Sequence, residues 1–237
     1  MSYIPGAGVL GGVPRSYIPT SYIPGALGAR RYYALDMTMG DLCAQILAWQ
    51  ERYPDPAATA GRNAESRVAE DRWLARFHGA DALDRDQVQE MIDWKFSTMP
   101  HRRAQAMKGI APDRWQGRDG APGAADLIRQ ALATPDDYEA LAVTAVSGGG
   151  IHRFGPAMGS VLLAACRPGR FTVADSRALA ALRHLGLMPP GGPEFQLRDW
   201  LPYLDACRGL ASRCGASLRA VDRALWIAAV EAGLPPA

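Results

Sequence analysis

Two features of this sequence, twenty residues apart, carry groups that could act together on an anionic substrate. The first is a glycine-containing turn that opens an apolar helical segment, Ile151-His152-Arg153-Phe154-Gly155-Pro156-Ala157. A turn of this kind presents backbone N–H groups to an anion such as a DNA phosphate. The second is Asp175, whose carboxylate would lie near whatever the turn holds. The pair predicts a DNA-handling protein with one candidate catalytic acid, whereas the turn alone predicts a binding module.

The spacing of apolar residues and the N-cap residues predict the helices that position the turn and the acid. Thr38 is expected to cap a helix that stops before residue 54, and Asp84 with Gln87 forms a capping-box pattern. Other helices are expected over residues 63–77, 124–132, 137–146, 156–166 and 176–185, and after the caps Asp199 and Ser217. No convincing alternation of polar and apolar residues predicts a strand. The predicted fold class is all-α.

A helix over residues 137–146, a glycine turn and a second helix from Pro156 make a helix-hairpin-helix. Over residues 137–186 the chain resembles the helix-hairpin-helix DNA glycosylases of base-excision repair. In that family a turn with two glycines precedes an aspartate by about this distance. The resemblance implies a two-lobed, glycosylase-like helical fold that contains the hairpin. It also implies double-stranded DNA as partner and hydrolysis of the N-glycosidic bond of a damaged or modified base.

The same resemblance assigns roles to single residues. Gly155 matches the second glycine of the family's turn, Gly159 the small residue at the helix packing position, and Asp175 the catalytic aspartate. Ala157 stands where lyase-competent members carry a lysine, so a monofunctional enzyme is implied. Arg153 stands in place of the first glycine. There it must avoid a positive φ or accept backbone strain of about 1 kcal/mol or more.

The residues expected to hold DNA phosphates fall into two groups. At the turn they are Gly150, Arg153, Gly155 and Ala157. A basic stretch over residues 94–118 supplies the others, Lys95, Arg102 and Arg103. Contacts of this kind fix the position of a protein on DNA without reading the base sequence. A solvated surface segment is an equally good interpretation of the basic stretch.

Asp175 has two interpretations that the residues leave open. A fixed carboxylate stabilises the oxocarbenium-like state of glycosidic cleavage, once the base has left the stack and entered a pocket. Candidate contacts for that base are His152, Phe154 and Trp94, although core packing is favoured for Trp94. As a structural residue, Asp175 would instead cap the alanine-rich helix that follows, which is worth about 1 kcal/mol.

Composition sets wide limits. The chain has 237 residues, is 48% hydrophobic and carries a formal charge of +2, so it can bury a core, and its charge identifies no partner. Residues 1–36, with three Ser-Tyr-Ile-Pro repeats, are expected to form a disordered or extended tail, and residues 37–237 the helical domain. No apolar run is long enough to span a bilayer, so a cytoplasmic protein is the default expectation.

The cysteines point to packing rather than to chemistry. No metal or cofactor motif is found, and an iron–sulfur cluster would need four suitably placed thiolates. In a reducing compartment the expected role is that of small buried thiols, for Cys43, Cys166, Cys207 and Cys214.

Three hypotheses follow. The leading one is a DNA-binding protein that excises a base by means of Asp175. The second is a non-catalytic helix-hairpin-helix module that binds DNA or protein. The third is a structural all-α domain in which the turn and the capped helix coincide by chance.

Overall fold

The computed structural model describes residues 38–53 and 67–234, with side chains from residue 70 onward in the second range. These ranges are helical and contain no strand, which confirms the all-α class. The predicted tail over residues 1–36 lies outside the described residues. The helices are α1 (Met39–Glu51), α2 (Arg67–Ala75), α3 (Arg85–Lys95), α4 (Pro100–Gly109), α5 (Pro112–Trp115), α6 (Ala124–Ala133), α7 (Asp137–Thr144), α8 (Pro156–Cys166), α9 (Ser176–His184), α10 (Trp200–Cys214) and α11 (Leu218–Glu231).

Side-chain caps begin several helices where the sequence predicts them. Thr38 and Asp84 each form a capping box, and Ser217 accepts a hydrogen bond from the third residue of α11. The predicted cap at Asp199 is wrong. Asp199 ends a 3-10 turn that runs directly into α10, and its carboxylate accepts hydrogen bonds from the Gln196 N–H and from Arg183 instead.

The helices form two neighbouring sets. In one set α11 packs against α1, α9 and α10, and in the other α8 packs against α3, α6 and α7. The first described helix thus joins the last three, and a hydrogen bond from Trp49 to Glu231 helps to hold it there. The segment that carries Asp175 connects α8, in one set, to α9, in the other.

Helix α4 was not predicted. Among its residues only Ala106 and Gly109 are buried, so the segment has no apolar stripe from which a helix could be recognised. Pro100 occupies its first turn, where a missing N–H costs nothing. Gly109 lies against the backbone of His152 and the ring of Phe154, so α4 supports the hairpin.

The expectation for the cysteines holds for two of the four. Cys166 and Cys207 are buried thiols, but Cys43 of α1 and Cys214 of α10 form a disulfide. The two half-cystines are 171 residues apart, so the bond has no local signal along the chain. No helix in the described ranges is long and apolar enough to cross a membrane.

Candidate functional site

The hairpin is closed by backbone hydrogen bonds between its two sides. The Val146 N–H donates to the Phe154 carbonyl at 2.7 Å, and the Gly150 N–H donates to the Ala145 carbonyl at 3.0 Å. Gly149 has φ +84°, in the left-handed region that favours glycine. The triglycine segment therefore makes the sharp bend and leaves the next residues to lead into α8.

The helices on either side of the hairpin touch at Gly159. A side chain added there would collide with the Thr144 hydroxyl and come close to Leu141, both on α7. Gly159 therefore has the packing position that the sequence predicts for it.

Arg153 adopts φ +65°, the left-handed conformation that a residue with a side chain seldom takes. From the sequence, Arg153 had either to avoid a positive φ or to accept backbone strain, and in the structure it has the strained conformation. The side chain is exposed, so the turn places a guanidinium at its tip, where a glycine would have placed none.

Gly155 lies at the N-cap of α8 in an extended conformation, with φ −88°, that any residue could adopt. A side chain there would meet nothing within 4 Å, so glycine leaves free surface next to the helix start. The N–H groups of Gly155 and Ala157 donate to no acceptor in the described part of the chain. Unpaired N–H groups at a helix start are suited to an anion.

Basic side chains surround the hairpin. Burial, with the nearby charges of Arg114, Arg153 and Lys108, lowers the pKa of His152 below its ordinary value. Gly150 and His152 also line an open cavity of about 250 Å³ between the hairpin and the loop after α5. This face of the molecule therefore carries a local excess of positive charge.

Asp175 lies at the end of a buried extended segment, residues 171–174, that is fixed on both sides. The Ala174 N–H donates to the Ser160 hydroxyl of α8 at 2.7 Å, and Tyr203 of α10 donates to the Val173 carbonyl at 3.0 Å. Ser160 lies on the second turn of the hairpin's second helix. The segment thus ties Asp175 to that helix.

The Asp175 carboxylate has two partners. One oxygen accepts a hydrogen bond from the Arg177 N–H at 2.9 Å, which confirms that Asp175 caps α9. The other lies 3.0 Å from the Lys95 ammonium of α3. Burial acts to raise the pKa of Asp175, but Lys95 and the Arg177 N–H outweigh it, so the pKa lies below its ordinary value. The carboxylate is ionised at neutral pH.

Asp175 and Lys95 line a small pocket where the two sets of helices meet. Its cavity is about 40 Å³, enough for a few water molecules but not for a sugar or a base. Two contacts hold aromatic side chains at this pocket. The rings of Trp73 and Trp94 pack in a tilted arrangement with their centroids 5.4 Å apart, and the Arg177 guanidinium lies over the Trp226 ring. A nucleotide can enter only if part of this wall moves. The lining residues are Tyr53, Trp94, Lys95, Val173, Asp175, Arg219, Asp222, Arg223 and Trp226.

A second carboxyl group, Asp222 of α11, lines the same pocket and is 2% exposed. Burial raises the pKa of Asp222 to about 6; Arg219 opposes this rise and Asp175 adds to it. Two carboxyl groups with pKa values displaced in opposite directions therefore share one pocket. Such a pair is a frequent arrangement in acid–base chemistry.

Acidic residues of α2 bind the two arginines that line the pocket. Glu70 bonds to Arg219 at 2.5 Å and to Arg223 at 2.7 Å, and Asp71 also bonds to Arg223. Burial acts to raise the pKa of Glu70, but the two guanidinium groups outweigh it and lower the pKa to about 2. Arg219 also contacts Asp222, so the charges form one connected network.

The structure separates the residues that the sequence groups together. Trp94, Lys95 and Asp175 line the small pocket. His152 lines the cavity at the hairpin, and Phe154 is fully buried in the core. The phosphate-binding prediction placed Lys95 on the surface; it is instead buried beside Asp175, because α3 directs its last turn into the pocket. Arg102 is exposed on α4, and Arg103 pairs with Asp93 at 2.6 Å.

Asp222 and the arginines of α11 were missed by sequence reasoning. They lie in Arg219-Ala220-Val221-Asp222-Arg223-Ala224-Leu225, where charged residues interrupt the apolar face of a helix. Polar residues on a core-facing stripe were the available signal. Their partners come from α2 and from the Asp175 segment, which only the folded chain brings close.

Comparison with protein-family models, with curated proteins and with solved structures finds no match to this chain. No group of three potential ligands for a metal ion occurs among the described residues.

Proposed function

We propose that the protein binds double-stranded DNA through the hairpin and removes a damaged or modified base at the Asp175 pocket. The observation that carries this proposal is a hydrogen bond that connects the Asp175 pocket to the hairpin. The Asp175 segment is hydrogen-bonded to Ser160, on the helix whose free N–H groups begin at Gly155. A phosphate held at that helix start would bring the adjoining nucleotides towards the pocket.

The chemistry assigned to the pocket is stabilisation of positive charge. Cleavage of the bond between base and sugar passes through an oxocarbenium-like state. The Asp175 carboxylate is ionised and its position is fixed by Lys95 and by the Arg177 N–H. A fixed negative charge in a largely buried pocket stabilises a sugar cation more strongly than it would in water. Trp94 and Trp226 would contact the extruded base.

The proposal includes a two-lobed architecture with the DNA along the groove between the lobes. The support is the division of the helices into two sets, with the pocket where they meet. We also propose that the protein acts inside the cell, where its DNA substrate is located.

The test of the catalytic part is Asp175→Asn. Asparagine is as good an N-cap as aspartate, so the variant removes the charge and keeps the cap. With duplexes that each carry one modified base, we expect the wild type to release at least one base. We expect the variant to be slower by about 10²–10³-fold with little change in DNA affinity. Asp84→Asn, at another N-cap far from the pocket, is the matched control and keeps wild-type activity. Equal rates for Asp175→Asn and wild type would reject the role of Asp175.

The test of the binding part is the salt dependence of DNA affinity. Each phosphate contact contributes about −0.9 to the slope of log K against log salt concentration. We expect a steep slope that becomes shallower when basic residues near the hairpin are removed. A flat response, or no binding at low salt, would reject DNA as the partner.

One observation favours a second function, a DNA-binding module without catalysis. Lys95 neutralises Asp175 and the carboxylate caps its own helix, which together give it a full structural role. This candidate predicts the steep salt slope without release of any base.

A further inference from the structure

The cavity between the hairpin and the loop after α5 is not used by the proposed function. Its volume is about 250 Å³, against about 40 Å³ for the Asp175 pocket. Small-molecule sites in proteins occupy about 300–1,000 Å³. The cavity therefore has room for a small ligand without movement of its wall.

A residue whose buried backbone N–H has no acceptor lines this cavity. Ile151 is 2% exposed, and its N–H donates to no acceptor in the described part of the chain. More than about 90% of buried backbone N–H groups in native proteins are paired, so this one requires an acceptor that the described chain does not supply. The N–H of the next residue, His152, is also without an acceptor among the described residues. Gly155 and Ala157, the donors assigned to DNA, do not line the cavity.

Positive charge exceeds negative charge in the wall of the cavity. Arg114 lines it and forms no ion pair with any residue that the structure describes. Asp113 is the one carboxylate among the described lining residues, and it is bonded at 2.8 Å to Arg118, which lines the cavity too. That acid is therefore neutralised, and the remaining charge favours an anion.

Close backbone packing fixes the loop that forms the far wall. A side chain added at Gly117 would collide with the Ala121 carbonyl, and one added at Gly123 would collide with the Trp115 carbonyl. The Ala121 N–H also donates to the Arg118 carbonyl at 2.8 Å. A wall that is already ordered loses little conformational entropy when a ligand binds.

The cavity also has apolar lining residues. Leu127, Pro122 and Ala124 supply them, and all three belong to the loop before α6 or to α6 itself. A site that combines N–H donors, a cation and an apolar surface suits a small organic molecule with an anionic group better than it suits a bare ion.

We propose that this cavity binds a small organic phosphomonoester through the N–H groups of Ile151 and His152 and the guanidinium of Arg114. A phosphomonoester carries a charge of about −1.5 to −2 at neutral pH and three strong acceptor oxygens, one for each of these donors. A carboxylate has a single charge and two oxygens. The organic part of the ligand lies against Leu127 and Pro122.

The experiment follows the backbone amide signals of the full-length protein by NMR during titration with thymidine 5′-monophosphate. A hydrogen bond to an anion moves the signal of the donating amide. We expect saturable shifts at Ile151 and His152, and no shift at Gly155 or Ala157. Inorganic phosphate has no apolar part, so we expect it to bind about tenfold more weakly.

Two sources of the same group are compared, a free nucleotide and the end of a DNA strand. A duplex with 5′-phosphate ends that shifts Ile151, where the same duplex with 5′-hydroxyl ends does not, assigns a strand end to the cavity. Shifts with the free nucleotide alone assign a free organic phosphate. If the duplex with 5′-hydroxyl ends shifts Ile151 as strongly, the cavity holds the DNA backbone and the inference is rejected.

The variant Arg114→Gln removes the charged donor. Arg114 is exposed, so we expect the fold to be kept, which helical content checks. We expect the Kd for thymidine 5′-monophosphate to rise about tenfold or more, because a hydrogen bond from a charged group is lost. Arg102→Gln, at an exposed position of α4 that does not line the cavity, is the matched control and keeps the wild-type Kd.

Three results would overturn the inference. They are the absence of any shift at Ile151 with thymidine 5′-monophosphate, a shift that chloride produces to the same extent, and an unchanged Kd in a folded Arg114→Gln variant. The same spectra report on DNA at Gly155. A shift there with duplex, without one at Ile151 with nucleotide, rejects this site and leaves the proposed function standing. The reverse result rejects DNA binding at the hairpin and retains the phosphomonoester site.

Discussion

The basic residues at the Asp175 pocket and those near the hairpin differ in their partners. At the pocket, Lys95, Arg219 and Arg223 are all bonded to carboxylates. Near the hairpin, Lys108, Arg114 and Arg153 form no ion pair with any residue that the structure describes. Burial explains the difference. A charge in the interior loses its hydration and needs a partner, but an exposed charge remains hydrated and available. The pocket is thus built to hold charges in position, and the hairpin surface is able to receive an anion.

The largest effect is expected where the interior network is broken. Glu70→Gln removes the carboxylate shared by Arg219 and Arg223, and should lower the free energy of unfolding by about 3 kcal/mol at pH 7. Denaturant unfolding measures it. Asp126→Asn breaks the exposed pair with Arg129 and should cost less than about 1 kcal/mol. Similar losses in the two variants would show that burial does not separate the two kinds of ion pair.

The same variant has a defined pH dependence. The pKa of Glu70 is about 2 in the folded chain and 4.5 ordinarily, so its stabilisation is complete above pH 4.5. It is lost as the pH falls through 2. The difference in unfolding free energy between wild type and Glu70→Gln should therefore shrink between pH 4.5 and 2. A difference that stays constant over this range would contradict the assignment.

An intermediate effect separates packing from binding within the hairpin. Gly159→Ala places a methyl group against Thr144 and should cost about 1–3 kcal/mol of stability. Gly155→Ala meets no atom within 4 Å and should change stability by less than about 0.5 kcal/mol. DNA affinity should respond more to Gly155→Ala, because its methyl group stands where a phosphate would approach. The comparison fails if Gly155→Ala unfolds the protein or binds DNA as tightly as the wild type.

The smallest effect has the opposite sign. Arg153→Gly relieves the positive φ and should raise the free energy of unfolding by about 1 kcal/mol. It also removes an exposed cation, so the salt slope of DNA binding should become shallower by about 1. Arg102→Gly, on an exposed helix position, should instead lower stability by about 1 kcal/mol. A loss of stability in Arg153→Gly would mean that the guanidinium supports the turn.

Local signals predicted a large part of the fold. The caps at Thr38, Asp84 and Ser217 and the bounds of α8 agree with the sequence, because capping and proline at a helix start depend on neighbours a few residues away. Helix α4 was missed, since its stability comes from packing at Ala106 and Gly109 rather than from an amphipathic pattern. For the site, the sequence identified Asp175 and its capping role and missed Asp222.

By itself the sequence determined the helices, the glycine turn and the acid twenty residues beyond it, because each depends on contacts between near neighbours. Tertiary structure decided which groups surround that acid. Lys95 is 80 residues from Asp175 and Asp222 is 47 residues from it, and the Cys43–Cys214 disulfide spans 171 residues. Electrostatic and covalent partners depend on distance in space, which folding sets independently of distance along the chain.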